Sequence, residues 1–321
     1  MGNHNVYANQ QLTNNKVGLC IPTYNAGELF REVLNSINEQ SLSLHRKLTI
    51  DSSSSDNTPE LALQNNFELV KILSSEFDHG ATRNLAMSLL SDCDYVIFMT
   101  QDVILYNDAS LCNLIKPFLK NQDLICAYGK QIPHKNATPL AAHHRSFNYG
   151  DEDKIQQKEK IKNYGYKTTF CSDAFAAYRL KPFLEMGGFS NNIIFGEDSE
   201  AGARIIMSGK TIYYASSAIA LHSHNYSFID EFKRYFDIGV MNATNSWILK
   251  EFNTPNKEGL KFVRSEINYL IRNKHVFWLP VSFLNLSAKY LGYKFGLHYD
   301  RLSPVFIQRF TLNKRYWDKI K

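Results

Sequence analysis

The sequence predicts an α/β fold: a mostly parallel sheet flanked by helices, followed by a helical C-terminal extension. Three observations carry this. Short apolar runs alternate with stretches of helical period over residues 16–100, polar signatures stand where the predicted strands end, and near Ser227 the alternation gives way to helix-like stretches rich in aromatic and basic residues. Strands that alternate with helices assemble into a sheet covered on both faces.

Residues 1–15, rich in Asn and Gln, read as a loose arm. Lys16–Ile21 is a short buried strand stopped by Pro22. Glu28–Gln40 carries Leu29, Val33, Leu34 and Ile37 at helical spacing. Leu48–Asp51 is the second strand, and Thr58-Pro59 starts a helix with a hydroxyl cap and a first-turn proline. Phe67–Leu73, a helix over Gly80–Leu90, and a strand at Tyr95–Met99 follow. Leu124–Ile132 and Phe170–Tyr178 are also strand-like, and Pro133–Gly165 between them is a long polar segment of the kind that often serves function. A helix over Asp198–Met207 stops at Gly209, and Thr211–Leu221 resumes strand character. The expected division is an arm over 1–15, a catalytic domain over 16–227 and a helical region over 228–321, in which Leu260, Val263, Ile267, Leu270 and Ile271 mark an amphipathic face.

At 321 residues and 44% hydrophobic content the chain buries a full core. Its net charge of +5 is uneven: residues 230–321 hold 16 Lys and Arg against 8 Asp and Glu, and the rest holds 20 against 23. A basic, aromatic-rich tail suits a negatively charged surface, and no nucleic-acid motif accompanies it. The five cysteines form no CxxC pair, so neither a disulfide framework nor a structural zinc site is expected. No apolar run approaches the ~18 residues of a membrane span, and the N-terminus lacks a signal-peptide core. The expected location is the cytoplasm, with peripheral contact at the inner face of the plasma membrane.

Four signatures sit at strand ends: Pro22-Thr23-Tyr24-Asn25, Asp51 to Asp56, Thr100-Gln101-Asp102 and Glu197-Asp198. Ligands in open α/β sheets collect outside the carboxyl ends of strands, so the four read as one site. Their chemistry suits a nucleotide diphosphate, a divalent metal and a carboxylate base, which points to sugar transfer from a nucleotide-sugar donor. Asp102 is the natural oxygen ligand for the metal, although an Asp after a strand also caps turns. His222 and His224, two apart in an extended segment, share a face and can supply a further metal or phosphate contact. In Phe77-Asp78-His79-Gly80-Ala81-Thr82-Arg83-Asn84, a helix N-terminus and an arginine one turn in suit a phosphate or a base carbonyl. Glu197 and Asp198 open a helix, where acids complement the dipole. One of them can also take the proton of an acceptor hydroxyl while the other bonds the acceptor or braces the loop.

FDHGATRN, FMTQD, FCSDAFAAYR, FGEDSEAG and HSHNYS together resemble inverting family 2 glycosyltransferases of the GT-A fold over roughly residues 16–225. Within that family they are most similar to bacterial rhamnosyltransferases of O-antigen and cell-wall polysaccharide assembly. The resemblance implies that Thr23, Asp51 and Arg83 hold the nucleotide, with Asn25, His79, Thr100 and Gln101 in the same contact set. It implies Asp102 as metal ligand for Mg2+ or Mn2+, Asp198 as catalytic base, and Asp173 as a contact to the transferred sugar or acceptor, beside Glu197. The implied donor is dTDP-β-L-rhamnose and the implied acceptor a glycan on a lipid carrier. Two departures stand out: the family's Asp-x-Asp is reduced to Thr100-Gln101-Asp102, and a glycine common in the second signature is Ser53.

Three other readings compete. A sugar nucleotidyltransferase would carry a glycine- and arginine-rich loop where this chain has PTYNAG. A non-catalytic glycan-binding protein would not need both Asp102 and Asp198. A transferase with a UDP sugar as donor shares every motif and differs only in what it binds.

Overall fold

The computed structural model describes residues 15–253 and 256–320. The expected N-terminal arm lies outside them, apart from Asn15. The strands among the described residues are β1 (Val17–Thr23), β2 (Arg46–Asp51), β3 (Glu68–Lys71), β4 (Tyr95–Met99), β5 (Ile104–Leu105), β6 (Leu124–Ile132), β7 (Lys154–Gln156), β8 (Phe175–Arg179) and β9 (Thr211–Leu221). They join in one sheet of order β3-β2-β1-β4-β8-β6-β9-β5, with β7 paired to β9. β1, β2, β3 and β4 pair in parallel, as do β6 and β9. β8 runs antiparallel to both β4 and β6, and β5 and β7 run antiparallel to β9. The sheet is therefore mixed, although β1, β2, β3, β4, β6 and β9 all point one way. The α/β class with a helical C-terminal region is borne out.

Period-two alternation divides the core into two layers. Val17, Leu19, Ile21, Ile97 and Met99 face one side, and Cys20, Val96, Phe98, Cys126 and Tyr178 face the other. All five cysteines are buried and unpaired. Two local expectations change. Thr58 does not cap its helix; it is the first helical residue after Asn57, and its hydroxyl accepts from the Ala26 amide at 2.9 Å. Phe170–Ala174 is loop, and the strand begins at Phe175.

The polar segment 133–165 contains a helix, Pro139–Asn148, capped by Thr138. The Asn256–Arg272 helix packs on it through Phe262, Tyr269 and buried Glu266, which accepts from Ser282. The expected face of that helix is rotated: Leu270 is buried, but Leu260, Ile267 and Ile271 point outward. The helix Phe228–Thr244 starts at a capping box on Ser227 and Asp230 and packs on Leu279–Leu297. Their contact uses small residues. A Cβ on Gly296 would lie 2.1 Å from the Phe236 carbonyl oxygen, so only glycine lets the backbones approach this closely. The buried face of Leu279–Leu297 is Ser282, Asn285, Ala288, Lys289, Gly292 and Gly296, and its large apolar residues are outside. Phe277 is 91% exposed and Phe283 71%, with Leu284, Tyr290 and Leu291 beside them. No helix among the described residues is long and apolar enough to cross a membrane.

Candidate functional site

Because β1, β2, β4, β6 and β9 share a direction, the loops after them open on one edge of the sheet. The reversed β8 adds its entrance to that edge: Met99 of β4 pairs with Phe175, which sets the Asp173 loop beside Thr100-Gln101-Asp102. β5 then runs back along β9 with Ile104 opposite Leu221, which sets His222 and His224 beside Asp102.

Asp102, His222 and His224 offer ligand atoms that all lie within 4.8 Å of one another. The Asp102 Oδ2 is 3.4 Å from His222 Nε2 and 3.6 Å from His224 Nε2. Burial alone would raise the Asp102 carboxyl, but His222, His224 and the Thr100 hydroxyl hold it well below the usual range. Burial lowers both imidazoles, His224 to about 4, so they are neutral at neutral pH. Gln131 orients the nearer ring: its Oε1 lies 2.8 Å from His222 Nδ1, and its Nε2 donates to Ser172. With Nδ1 protonated, Nε2 keeps its lone pair toward Asp102. One ionised carboxylate and two neutral imidazoles, one of them already oriented, fit a divalent cation.

A cavity of about 510 Å³ continues from this cluster, lined in part by His79, Arg83, Thr100, Asp173, Glu197, Asp198, His222 and His224. Glu197 and Asp198 open the Glu197–Met207 helix, which follows Gly196 in the left-handed region at φ 76°. Their environments separate them. Glu197 is buried and accepts from Arg83 at 2.5 Å. Burial would raise its carboxyl, but Arg83 and His79 pull it below the usual value. Asp198 is half-buried and has no ion pair among the described residues; the Ser199 and Asp173 amides donate to it. Burial, then Glu197 and Asp173, push its carboxyl up to about 8. Asp173, only 2% exposed, accepts from the Tyr178 hydroxyl at 2.6 Å, and burial raises it to about 6.

Arg83 departs from expectation. It is 5% exposed and turned to Glu197, with its Nε 3.1 Å from Asp173. Its neighbour Asn84 exchanges hydrogen bonds with the Phe189 backbone. FDHGATRN therefore ties its helix to the loop before Glu197, and Arg83 braces the acids at the edge of the cavity. Asp78 caps that helix by accepting from the Ala81 amide.

Thr23, Asn25, Asp51 and Gln101 do not line the cavity; they form a shelf at the ends of β1, β2 and β4. Asp51 is fully buried and accepts from Thr23, the Ser54 hydroxyl and the Ser54 amide. Its carboxylate thereby shapes the loop. Asn25 Oδ1 accepts from the Ser55 amide, and Gln101 bonds both backbone groups of Tyr24. Ser53 holds φ 66°, which is why a glycine suits this position; the Ser53 hydroxyl anchors the loop by donating to the Ile72 carbonyl.

The sequence reading missed the far wall: Arg145 from 139–148 and Tyr149 just after it, Arg234 from 228–244, and Trp278 and Lys289. The only signal for it was the polar character of segment 133–165.

The sequence pattern of glycosyl transferase family 2 matches residues 19–187. The chain is 42% identical to the O-antigen chain rhamnosyltransferase RfbN of Salmonella typhimurium over 308 residues, which covers 95% of this chain and 97% of that protein. It is also 42% identical to the O-antigen chain rhamnosyltransferase WbaN of Salmonella anatum, over 94% of this chain and 96% of the relative. Among solved structures, the mannosyltransferase PcManGT from Pyrobaculum calidifontis is similar with a TM-score of 0.58 at 17% identity, covering 95% of this chain and 88% of that one. TarS of S. aureus in complex with UDP is similar at a TM-score of 0.52 and 16% identity, covering 89% and 91%; both likenesses concern the fold. A pattern that spans half of the chain, and identity at this level along nearly all of it, establish that the protein belongs to glycosyl transferase family 2.

Proposed function

We propose that this glycosyltransferase moves L-rhamnose from dTDP-β-L-rhamnose to a hydroxyl of a lipid-linked glycan in bacterial surface polysaccharide assembly, with inversion at the anomeric carbon. The likeness to two O-antigen chain rhamnosyltransferases supports the sugar and the setting. The observation that carries the mechanism is the contrast between the two acids at one cavity edge: Glu197 is paired with Arg83, and Asp198 has a raised pKa and no ion pair among the described residues.

Asp198 takes the proton of the acceptor hydroxyl as its oxygen bonds to the anomeric carbon. The bond from that carbon to the diphosphate oxygen breaks on the opposite side, so a β-linked donor gives an α-linked product. A base whose pKa lies near the working pH suits this transfer. Arg83, Glu197 and Asp173 hold the loop that presents Asp198. A divalent ion on Asp102, His222 and His224 would offset the charge that collects on the leaving diphosphate. Two imidazoles in the donor set favour Mn2+ over Mg2+, which prefers oxygen ligands alone.

The outward apolar face of the C-terminal helices supports peripheral attachment to an anionic bilayer. Phe277, Phe283, Leu284, Tyr290 and Leu291 are exposed, and the same region holds the surplus of Lys and Arg. Aromatic rings suit the headgroup layer, and each nearby basic residue adds about 1 kcal/mol. Val281 and Leu284 also line the cavity, so its mouth would open toward the surface that carries the acceptor.

Titration of dTDP-rhamnose, UDP-glucose and UDP-GlcNAc tests the donor. Tighter binding of dTDP-rhamnose is expected, and preference for a UDP sugar would replace the donor while keeping the transferase.

A further inference from the structure

Arg83 lines the cavity but is turned to Glu197, and two further arginines face the same space. Arg145, on Pro139–Asn148, and Arg234, on Phe228–Thr244, line it from two helices. Three other half-buried arginines spend their donors inside the protein: Arg46 on Glu68, Asp92 and the Leu89 carbonyl, Arg179 on the carbonyls of Leu124, Phe118 and Asn121, and Arg204 on Glu200 and the carbonyls of Met186 and Gly188. Arg145 spends only part of its donors, on Gln131 and Tyr149, and Arg234 spends none among the described residues. Arg145 donates from Nη1 to Gln131 Oε1 at 2.7 Å and stands over the Tyr149 ring. Arg234 lies 5.3 Å from the Phe195 ring and 5.8 Å from the Tyr226 ring, and among the described residues it has no hydrogen-bond or carboxylate partner.

A guanidinium has five N–H donors, and leaving them unmet in a half-buried site is costly. The rings fix Arg234 in place while leaving its edge free. Burial, and then repulsion from Arg234, lower the Arg145 pKa, so the two charges feel each other. Lys289, in the same cavity, is already neutralised by Glu231 at 3.2 Å. Arg145 also shares the Gln131 oxygen with His222, which places it one side chain from the Asp102 cluster.

We infer that Arg145 and Arg234 form a diphosphate-binding wall, their open donors taking the oxygens of a diphosphate in the cavity. Two forked donors suit a ligand with two charges and several oxygens, and a neutral sugar would not need them. The inference rests on the reading of this cavity as the transfer site. Two diphosphates have the same chemistry: the one on the nucleotide sugar and one on a lipid-linked acceptor.

Isothermal titration of the full chain tests it with inorganic pyrophosphate, dTDP, thymidine and farnesyl diphosphate, each with Mn2+ and in EDTA. Arg145→Gln and Arg234→Gln should each weaken pyrophosphate about tenfold or more, in EDTA as well, with thymidine unchanged. Arg145→Lys and Arg234→Lys keep the stem and charge, guard against misfolding, and should fall between. A parallel loss on dTDP identifies the donor diphosphate; a loss on farnesyl diphosphate with dTDP unchanged identifies the acceptor's. Variants that melt like wild type and bind all three diphosphates within about twofold of it would overturn the inference. Wild-type protein that binds pyrophosphate but not dTDP, with the loss in the variants intact, would overturn the proposed donor and keep the wall. Failure of wild type to bind any of the three would overturn both.

Discussion

Replacing Asp198 with Asn should destroy activity and stabilise the fold at alkaline pH. The amide keeps the shape of the carboxylate but accepts no proton, and loss of a general base costs about 10²–10⁴-fold in kcat. The stability effect follows from linkage. Burial and two neighbouring acids raise the Asp198 carboxyl from 3.8 to about 8. A group raised in the folded state contributes stability that is present below its unfolded value and lost as pH rises through the folded one. The cost of ionising Asp198 is thus fully felt above pH 8, and the Asn variant does not bear it. Each pKa unit corresponds to about 1.4 kcal/mol. Asp198 is only half-buried, and solvent screening reduces the whole shift to about 2 kcal/mol. Thermal melts at pH 9 should place the variant a few degrees above wild type, and kcat/KM of wild type should rise with pH toward a plateau near the Asp198 pKa. Glu197→Gln is the contrast. It leaves Arg83 buried without its 2.5 Å partner, and breaking such a pair costs about 3–5 kcal/mol. A variant of Asp198 that keeps more than about a tenth of the activity, or melts below wild type at pH 9, would refute the assignment.

Asp102→Ala should weaken Mn2+ binding at least about tenfold, read by calorimetry without substrate, because it removes the single carboxylate of the cluster. An unchanged Mn2+ affinity would remove Asp102 from the ligand set. Gly296→Ala puts a Cβ 2.1 Å from the Phe236 oxygen and should cost about 2 kcal/mol or more in a denaturant melt. Phe277→Ser with Phe283→Ser should reduce flotation with anionic liposomes and leave thermal stability unchanged, since both side chains are exposed. Wild type that stays with the soluble fraction at every salt concentration and lipid charge would limit the C-terminal helices to a structural role.

The strands at Tyr95–Met99, Leu124–Ile132 and Thr211–Leu221 were legible in the sequence to the residue, because buried β-runs bounded by polar turns carry their own limits. That the signatures after the strands gather at one edge of the sheet was legible because strand direction carries successive loops there, but their division into a cavity and a shelf was not. The reversal of β8 was not legible, since an apolar run reads the same in either direction. Nor was the pairing of β5 with β9, although it is what brings His222 and His224 to Asp102.

The α/β class, the identity of the acids and histidines, and the place where helices take over near Ser227 can be read from the chain alone. Which of these groups are free to act depends on packing between distant segments. Glu197 and Asp198 are adjacent in the chain and chemically alike, but packing gives the ion pair with Arg83 to one and leaves the other with none among the described residues. Arg83 and Arg145 are both arginines on helices, yet one is spent on buried acids and the other keeps open donors in the cavity. Partner choice among like side chains depends on contacts between residues as far apart as 83 and 197, and no local pattern in the sequence encodes them.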